Sequence, residues 1–393
     1  MTNLVDTALA AAYAHGPGKS VRVPNGTPSP GGARPGRGID LAELADLGPF
    51  GPALVRALSA ALAPQRWEPW NPYNDHRAYP SPRCAYLTDA TLRLGEDRRL
   101  LDPVRLVLAG ERPLPDPSSV DSVGVELTVA PHRLPAGYGA LRDALAFLEA
   151  GHLAAALVEA GAPAATAVLR GAGGASGVVA QVAFRMDPAP AGRSRGRVGA
   201  VRSSALAPRG LSADPRPLPA EVLRRLIADG RPPAGSPAAR SGPGGLRHRL
   251  AVRGVTGCAD GLYELREGGP VLRAAGPITE YLQAAFGFGP ADVDVSGMNV
   301  VWVSTAEVAA VVRDRGPDGY PNVLMTAGAA AQHVCSAAAG AGLFCRPVRS
   351  YAEGAVEAAV RAEPGEDVVY MLLIGRPRVP DFCYDLTDPE QPR

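Results

Sequence analysis

Lysine is almost absent: of the 40 basic residues only Lys19 is a lysine, and the rest are arginine. Any mechanism that requires a catalytic lysine therefore has one candidate. Cysteine is scarce and unpaired. Cys84, Cys258, Cys335, Cys345 and Cys383 form no C-x-x-C pair, and an odd number so scattered supports neither a disulfide framework nor a zinc knuckle. The six histidines form no H-x-x-x-H pair, so no metal is assigned. No stretch approaches 18 uninterrupted apolar residues, and residues 1–13 lack a basic segment followed by a long apolar run. The expectation is a soluble, cytoplasmic protein with no membrane span and no signal peptide. An excess of either charge is also missing: Lys+Arg 40 against Asp+Glu 39 leaves a net charge of +1. That balance argues against a nucleic-acid binder held by a broad basic field.

What is present is apolar and small. The chain has 393 residues, 46% of them hydrophobic, and that length gives two domains as the first expectation. Residues 16–38, dense in proline, glycine and arginine, read as an irregular arm. An apolar helical pattern follows over 40–63 (Leu41, Leu44, Leu47, then Leu54, Leu58, Leu62), interrupted near 48–52. Residues 122–129 read as a strand. Residues 138–161 read as the strongest helix of the first half, with Leu141, Leu145, Leu148, His152, Ala155 and Leu157 at helical spacing. The stretch 188–197 marks a boundary, giving halves 1–190 and 191–393.

The second half then starts over. Residues 217–227 carry proline at a helix start and leucines at i, i+3 spacing. Residues 235–245 read as a Gly/Pro/Ser loop, and 250–255, 261–265 and 300–304 as strands. Residues 323–342 form a long Ala-rich helix, and 368–374 a fully buried strand. Both halves place a small-residue helix after a tyrosine (Tyr138 and Tyr320). The reading is a duplicated α+β unit whose Ala-rich helices pack closely between halves; coincidence in a low-complexity composition is the alternative.

One stretch is more specific. Residues 77–86 read R-A-Y-P-S-P-R-C-A-Y; Tyr138-Gly139 and the helix segment Leu148-Glu149-Ala150-Gly151-His152 follow. Together they resemble the nitroreductase-like flavin dehydrogenases of the SagB type, with their R-x-x-P-S-x-G-x-x-Y loop, K-Y-G turn and L-E-A-G-H helix. In the second half Arg202-Ser203, Pro217-Leu218-Pro219, Gly261-Leu262-Tyr263, Ala327-Gly328 with Gln332, Gly342-Leu343 and Gly375-Arg376-Pro377 continue the resemblance. It covers most of the chain, thinly.

The resemblance implies an α+β, nitroreductase-like fold in two tandem copies that form an intramolecular pseudo-dimer, with FMN between them. It implies one composite site. Arg77, Pro80 and Ser81 come from the first half; Arg202, Ser203, Gly342, Leu343, Gly375 and Arg376 come from the second. Arg202 and Arg376 would neutralise the phosphate, Ser81 and Ser203 would donate hydrogen bonds, and Tyr138 would be the catalytic acid/base. The implied activity is oxidation of thiazoline or oxazoline rings of a precursor peptide to azoles, beside a cyclodehydratase, with no nucleic acid or membrane as partner and further homo-oligomers left open. Two alternatives stay open: a flavin-free, degenerate scaffold of a peptide-modifying complex, and an NAD(P)H-dependent nitroreductase of small molecules.

The sequence also departs from the pattern. The K-Y pair becomes Gly137-Tyr138, aligned with Asp314-Arg315 in the second half, and Val201 and Ala205 stand where further arginines are usual. The reciprocal P-S loop would be residues 241–245, S-G-P-G-G, and the reciprocal R-S motif residues 19–22. Gly18-Lys19-Ser20 ends like a Walker A motif, but Tyr13 occupies its first glycine position and no strand precedes it, so a nucleotide-triphosphate loop is rejected. Glu149 and His152, at i, i+3, read as a capping or packing pair rather than an acid/base pair. Residues 171–177 read as a flexible connection, and Cys335 and Cys345 as small hydrophobes.

Overall fold

The computed structural model describes residues 38–48, 51–68, 71, 73, 76–110, 112–116, 120, 122–162, 164–172, 177–184, 201–205, 210–233, 236, 238, 245–378 and 383–386. The arm up to residue 37, the Lys19 motif, the boundary at 188–197 and most of the loops 171–177 and 235–245 lie outside them.

In chain order the first half supplies β1 (Gly38–Asp40), α1 (Gly51–Leu62), β2 (Arg66–Trp67), β3 (Thr88–Leu94), β4 (Asp97–Asp102), β5 (Val107–Ala109), β6 (Val123–Val129), α2 (Leu141–Gly161), β7 (Ala165–Leu169) and β8 (Val178–Phe184). The second supplies α3 (Ala220–Gly230), β9 (Arg247–Val252), β10 (Gly261–Arg266), β11 (Gly269–Ala275), α4 (Ile278–Ala285), β12 (Val300–Ala306), α5 (Val308–Arg315), α6 (Gly319–Gly340), β13 (Phe344–Val348), α7 (Glu353–Ala359), β14 (Asp367–Gly375) and β15 (Tyr384–Asp385).

The duplication is visible in the hydrogen-bond ladders. One sheet runs β1-β5-β4-β3-β6-β8-β7 and the other β11-β10-β9-β12-β14-β13. Apart from the extra edge strand β1, the two orders become the same when β3 to β8 are read as β9 to β14. Even the irregularities repeat. The β6–β8 ladder shifts register between Leu127 and Thr128, and the β12–β14 ladder between Ser304 and Thr305. A single sequence offset relates Leu127 to Ser304, Leu148 to Met325, and Gly151 to Gly328. A bulge kept at matching positions marks a structural repeat rather than a chance of composition.

The halves meet through α2 and α6, which are buried around most of their circumference because each packs on its own sheet and on the other helix. Glycine makes the crossing possible. A Cβ on Gly151 would lie 2.0 Å from the Met325 carbonyl oxygen, and a Cβ on Gly328 2.0 Å from the Leu148 carbonyl oxygen. The two contacts are reciprocal, as a pseudo-twofold axis requires. Helix α2 is long and apolar enough to cross a membrane, but 78% of its apolar window is buried within the protein. Near the other end of the chain, β15 pairs with β2 of the first half, Tyr384 opposite Trp67.

Several boundaries differ from expectation for identifiable reasons. Strand β9 begins at Arg247 rather than Leu250, because Arg249 is buried and bonded to the Glu366 carboxylate at 2.7 Å; an arginine inside a strand hides its start. Gly254, at φ 60, already turns the chain where the strand was expected to continue. Tyr138 is not in α2: it ends a separate short turn, Ala136–Tyr138, and Gly139 at φ 53 divides the two. Tyr320 lies inside α6 with Pro321 in the first turn. The helix offset pairs Tyr138 with Arg315, so Tyr320 is not its counterpart.

Candidate active site at the seam between the halves

The P-S loop is built around two tyrosines. Ser81 Oγ accepts the Tyr86 N–H at 2.8 Å, and Tyr86 Oη accepts the Arg77 N–H at 3.1 Å. The Arg77 guanidinium stacks 3.7 Å from the Tyr86 ring centroid, with the residue only 2% exposed. Between these anchors the chain is forced through the left-handed region at Arg83, Cys84 and Tyr86 (φ 53, 51 and 47), none of them glycine. The glycine of the R-x-x-P-S-x-G-x-x-Y pattern falls on Arg83.

This loop forms one wall of a cleft of about 360 Å³, a volume suited to a small-molecule ligand. The first half lines it with Pro80, Ser81, Arg83, Tyr86 and Tyr138. The second adds Arg202, Ser204, Phe288, Arg346 and the β13 exit through Ser350, with Tyr370 from β14. Four arginines and one histidine (His76) line the cleft, Arg349 with its guanidinium held by the Val369 carbonyl and Glu353, and among the described residues no carboxylate lines it. Arg202 is 6% exposed and donates to Ser204 Oγ at 2.6 Å, while its Nε has no hydrogen-bond partner. Leaving a buried guanidinium N–H unpaired is costly, so an acceptor bound beside Arg202 would be favoured. Among the described residues no His/Cys/Asp/Glu group is arranged to hold a metal ion.

Two buried groups sit behind the wall. The Glu149 carboxyl on α2 is pushed up to about 7 by burial, against the pull of the Ser81 and Thr88 hydroxyls and the Arg77 charge. His152 is held down at about 3, chiefly by burial. Its Nδ1 meets Gln332 Oε1 at 3.1 Å and its Nε2 meets Tyr370 Oη at 3.3 Å. Gln332 Nε2 donates to the Ala78 carbonyl at 3.1 Å, which turns Oε1 toward the imidazole and assigns its proton to Nδ1. Nε2 then accepts from Tyr370. A chain of polar groups thus runs from the P-S loop through the helix crossing to the far wall of the cleft. Glu149 and His152 face different halves, so they form neither an acid/base pair nor a cap.

Glu149 makes stability depend on pH. In the unfolded chain it ionises near 4.5 and in the folded one near 7, so between these values only the unfolded state sheds the proton. Its contribution to stability therefore falls as pH rises through that window, by about 3 kcal/mol in all. Glu149→Gln is expected to lack this fall. Denaturant melts of both proteins across the window should show the wild type losing ground to the variant; a pH-independent difference would contradict a buried neutral carboxyl.

Of the residues expected at the site, Pro80, Ser81, Tyr138 and Arg202 line the cleft, and Arg77 braces it from behind Tyr86. The others do not line it. The Ser203 carbonyl accepts the Cys345 N–H at 2.9 Å, its hydroxyl accepts the Ala205 N–H at 3.1 Å, and Ser204 faces the cleft instead. Gly342, at φ 70, turns the chain after α6, and Leu343 is buried in the second-half core. Gly375 ends β14 where a Cβ would meet the Ala213 side chain at 2.6 Å. The Arg376 backbone bonds to Asn299 and Asp214. Arg83, Arg346, Arg349 and Tyr370 were not singled out by sequence; the spacing of Arg346 and Arg349 just after Gly342-Leu343 was the available signal.

The reciprocal seam is different. The matching ladders place Thr166, Leu169 and Ala180 where the cleft has Arg346, Arg349 and Tyr370. There the halves bond directly: Asn322 Nδ2 donates to the Leu169 carbonyl at 3.1 Å, and Asp318 Oδ1 accepts the Ala172 N–H at 2.8 Å.

No family model matches the sequence, and no curated protein matches it. A structure described as a nitroreductase of Anabaena variabilis matches at TM-score 0.70 and 14% identity, over 96% of this chain and 100% of that one. Partial matches include the Escherichia coli microcin synthetase McbBCD complex with truncated pro-MccB17 bound (16% identity, 44% of this chain, 70% of that chain, TM-score 0.36). Another is a Desulfovibrio desulfuricans nitroreductase in complex with FMN (19% identity, 43% of this chain, 81% of that chain, TM-score 0.28). The chain therefore has the nitroreductase-like α+β fold, with two tandem copies joined in one polypeptide as a pseudo-dimer.

Proposed function

We propose that the seam cleft holds FMN and that the protein is an azoline dehydrogenase of the SagB type, converting thiazoline or oxazoline rings of a ribosomal precursor peptide to thiazole or oxazole. The observation that carries the reading is a cleft shared by the two halves whose described lining residues include four arginines and no carboxylate, one of the arginines having a buried, unpartnered N–H. That donor set fits a planar ligand ending in a phosphate: Arg202 and Arg346 would hold the phosphate, and Tyr86 and Phe288 would offer apolar faces. Bound FMN would supply the hydride acceptor. Tyr138 would take the proton that leaves the ring, so the substrate loses one hydride and one proton. The reading places the reaction in the cytoplasm beside a cyclodehydratase, with the halves dividing at residues 190 and 191.

Anaerobic mixing of the FMN-loaded protein with an azoline-bearing peptide tests it. The expected result is bleaching of the visible flavin bands with loss of two hydrogens per ring by mass. Bleaching by NADPH alone, with a nitro compound reduced and the peptide unchanged, would replace this reading with the small-molecule nitroreductase. A protein that takes up no FMN yet co-purifies with a cyclodehydratase would replace it with the scaffold.

A further inference from the structure

We propose that Arg83 is a positioning residue: the P-S loop holds its backbone left-handed so that its guanidinium lies against Tyr138, and the two side chains form the proton-handling unit of the cleft. The inference rests on the proposed reaction for its purpose, but its geometry stands without it. Arg83 sits at φ 53, ψ 26 inside the turn Pro82–Cys84, and Cys84 follows it in the same region at φ 51. Such conformations disfavour any residue with a Cβ, and they persist where the surroundings over-determine them. Here the surroundings do so: the Ala85 N–H bonds to the Pro82 carbonyl at 3.0 Å, Cys84 Sγ donates to the Tyr73 carbonyl at 3.5 Å, and Ser81 Oγ holds the Tyr86 N–H.

The strained backbone aims the side chain between two phenols. The guanidinium carbon lies 5.4 Å from the Tyr138 ring centroid and 5.6 Å from that of Tyr73, and all three residues line the cleft. Both distances lie within cation–π range. Burial raises the Tyr138 phenol above its ordinary value, and the Arg83 charge and hydrogen bond oppose that rise. A cation placed here therefore makes a half-buried phenol easier to ionise and fixes its ring. Gly137, the residue before Tyr138, has no side chain to do this. Among the described residues, the remaining charged or ionisable groups on the walls are Arg202, Arg346, Arg349, His76 and the Cys84 thiol, with the phenols Tyr73, Tyr86 and Tyr370. None of them is a carboxylate that would cancel the effect.

The test separates strain from chemistry with Arg83→Gly, Arg83→Lys and Tyr138→Phe. Glycine accepts the left-handed backbone, so Arg83→Gly is expected to melt at a higher temperature than wild type. The same variant is expected to raise the ionisation midpoint of the Tyr138 phenol, read by NMR of isotope-labelled tyrosine with the resonance assigned by its loss in Tyr138→Phe. Ring oxidation by Arg83→Gly should fall on the order of a hundredfold in kcat, with Arg83→Lys recovering part of it and shifting the alkaline limb of the pH profile back. An unmoved Tyr138 midpoint in Arg83→Gly, or a lower melting temperature, overturns the proposal. The melting and NMR measurements need no flavin and no peptide, so they decide the Arg83–Tyr138 pairing even if the protein turns out not to oxidise azolines.

Discussion

Gly328→Ala is expected to destabilise the protein by about 4 kcal/mol and to abolish ligand binding at the seam, although it adds a single methyl group. The new Cβ would fall 2.0 Å from the Leu148 carbonyl oxygen, far inside van der Waals contact. The obstacle is backbone, so no side chain can rotate out of the way. The helices α2 and α6 would have to separate, loosening the packing of both cores along their length. Because the cleft walls are carried by loops at the two ends of this crossing, separation also spreads Ser81 and Arg202. Gly151→Ala, facing the Met325 carbonyl at the same 2.0 Å, should behave alike. At Gly340, the last position of α6, an added Cβ would meet nothing within 4 Å, and Gly340→Ala should be neutral or slightly stabilising through helix propensity. Thermal melts of the three variants check this; equal effects at positions 328 and 340 would contradict close helix contact as the junction of the halves.

Arg202→Met should weaken FMN binding on the order of a hundredfold, about 2–3 kcal/mol, while leaving riboflavin binding almost unchanged. Arg202 is buried beside the cleft with an unpaired Nε, and methionine keeps much of its apolar volume while removing the donors. If the guanidinium meets the phosphate, the loss belongs to the phosphorylated flavin alone, and isothermal titration with both flavins isolates it. Parallel losses for FMN and riboflavin would instead mean that Arg202 supports the wall as a whole. Glu149→Gln probes the layer behind the same wall, and the Arg83 variants probe the wall itself.

Much of the architecture was legible because it is periodic. Continuous apolar runs marked β12 and β14, residues such as Leu141, Leu145 and Leu148 at helical spacing marked α2, alanine richness marked α6, and the repeated order of these elements pointed to a duplicated unit. The ladders and bulges show that repeat strand by strand. Short strands such as β1 and β5 carry too little pattern, the mostly exposed edge strand β11 reads as surface, and a buried ion pair such as Arg249–Glu366 disguises a strand as surface. The site was legible only in part. Pro80, Ser81, Tyr138 and Arg202 sit in local motifs, and the fold brings them to one cleft. Arg346 and Tyr370 belong to no motif; they reach the wall because β13 ends there and its ladder with β14 sets Tyr370 beside that end. Ser203 and Ser204 are neighbours in sequence, and only backbone direction decides which faces the cleft. Glu149 read as a capping or packing residue, since nothing local shows that the P-S loop and the start of β3 will enclose its carboxyl. The left-handed Arg83 is likewise a property of the assembled loop.

The measurement that bears most directly on a composite flavin cleft is titration of flavin-free protein with FMN, followed by the shift and quenching of the bound flavin. With arginines on one seam and direct bonds across the other, saturation is expected at one FMN per chain, reached in Arg202→Met only at about hundredfold higher FMN. Saturation at two per chain, or an absence of binding, would contradict it.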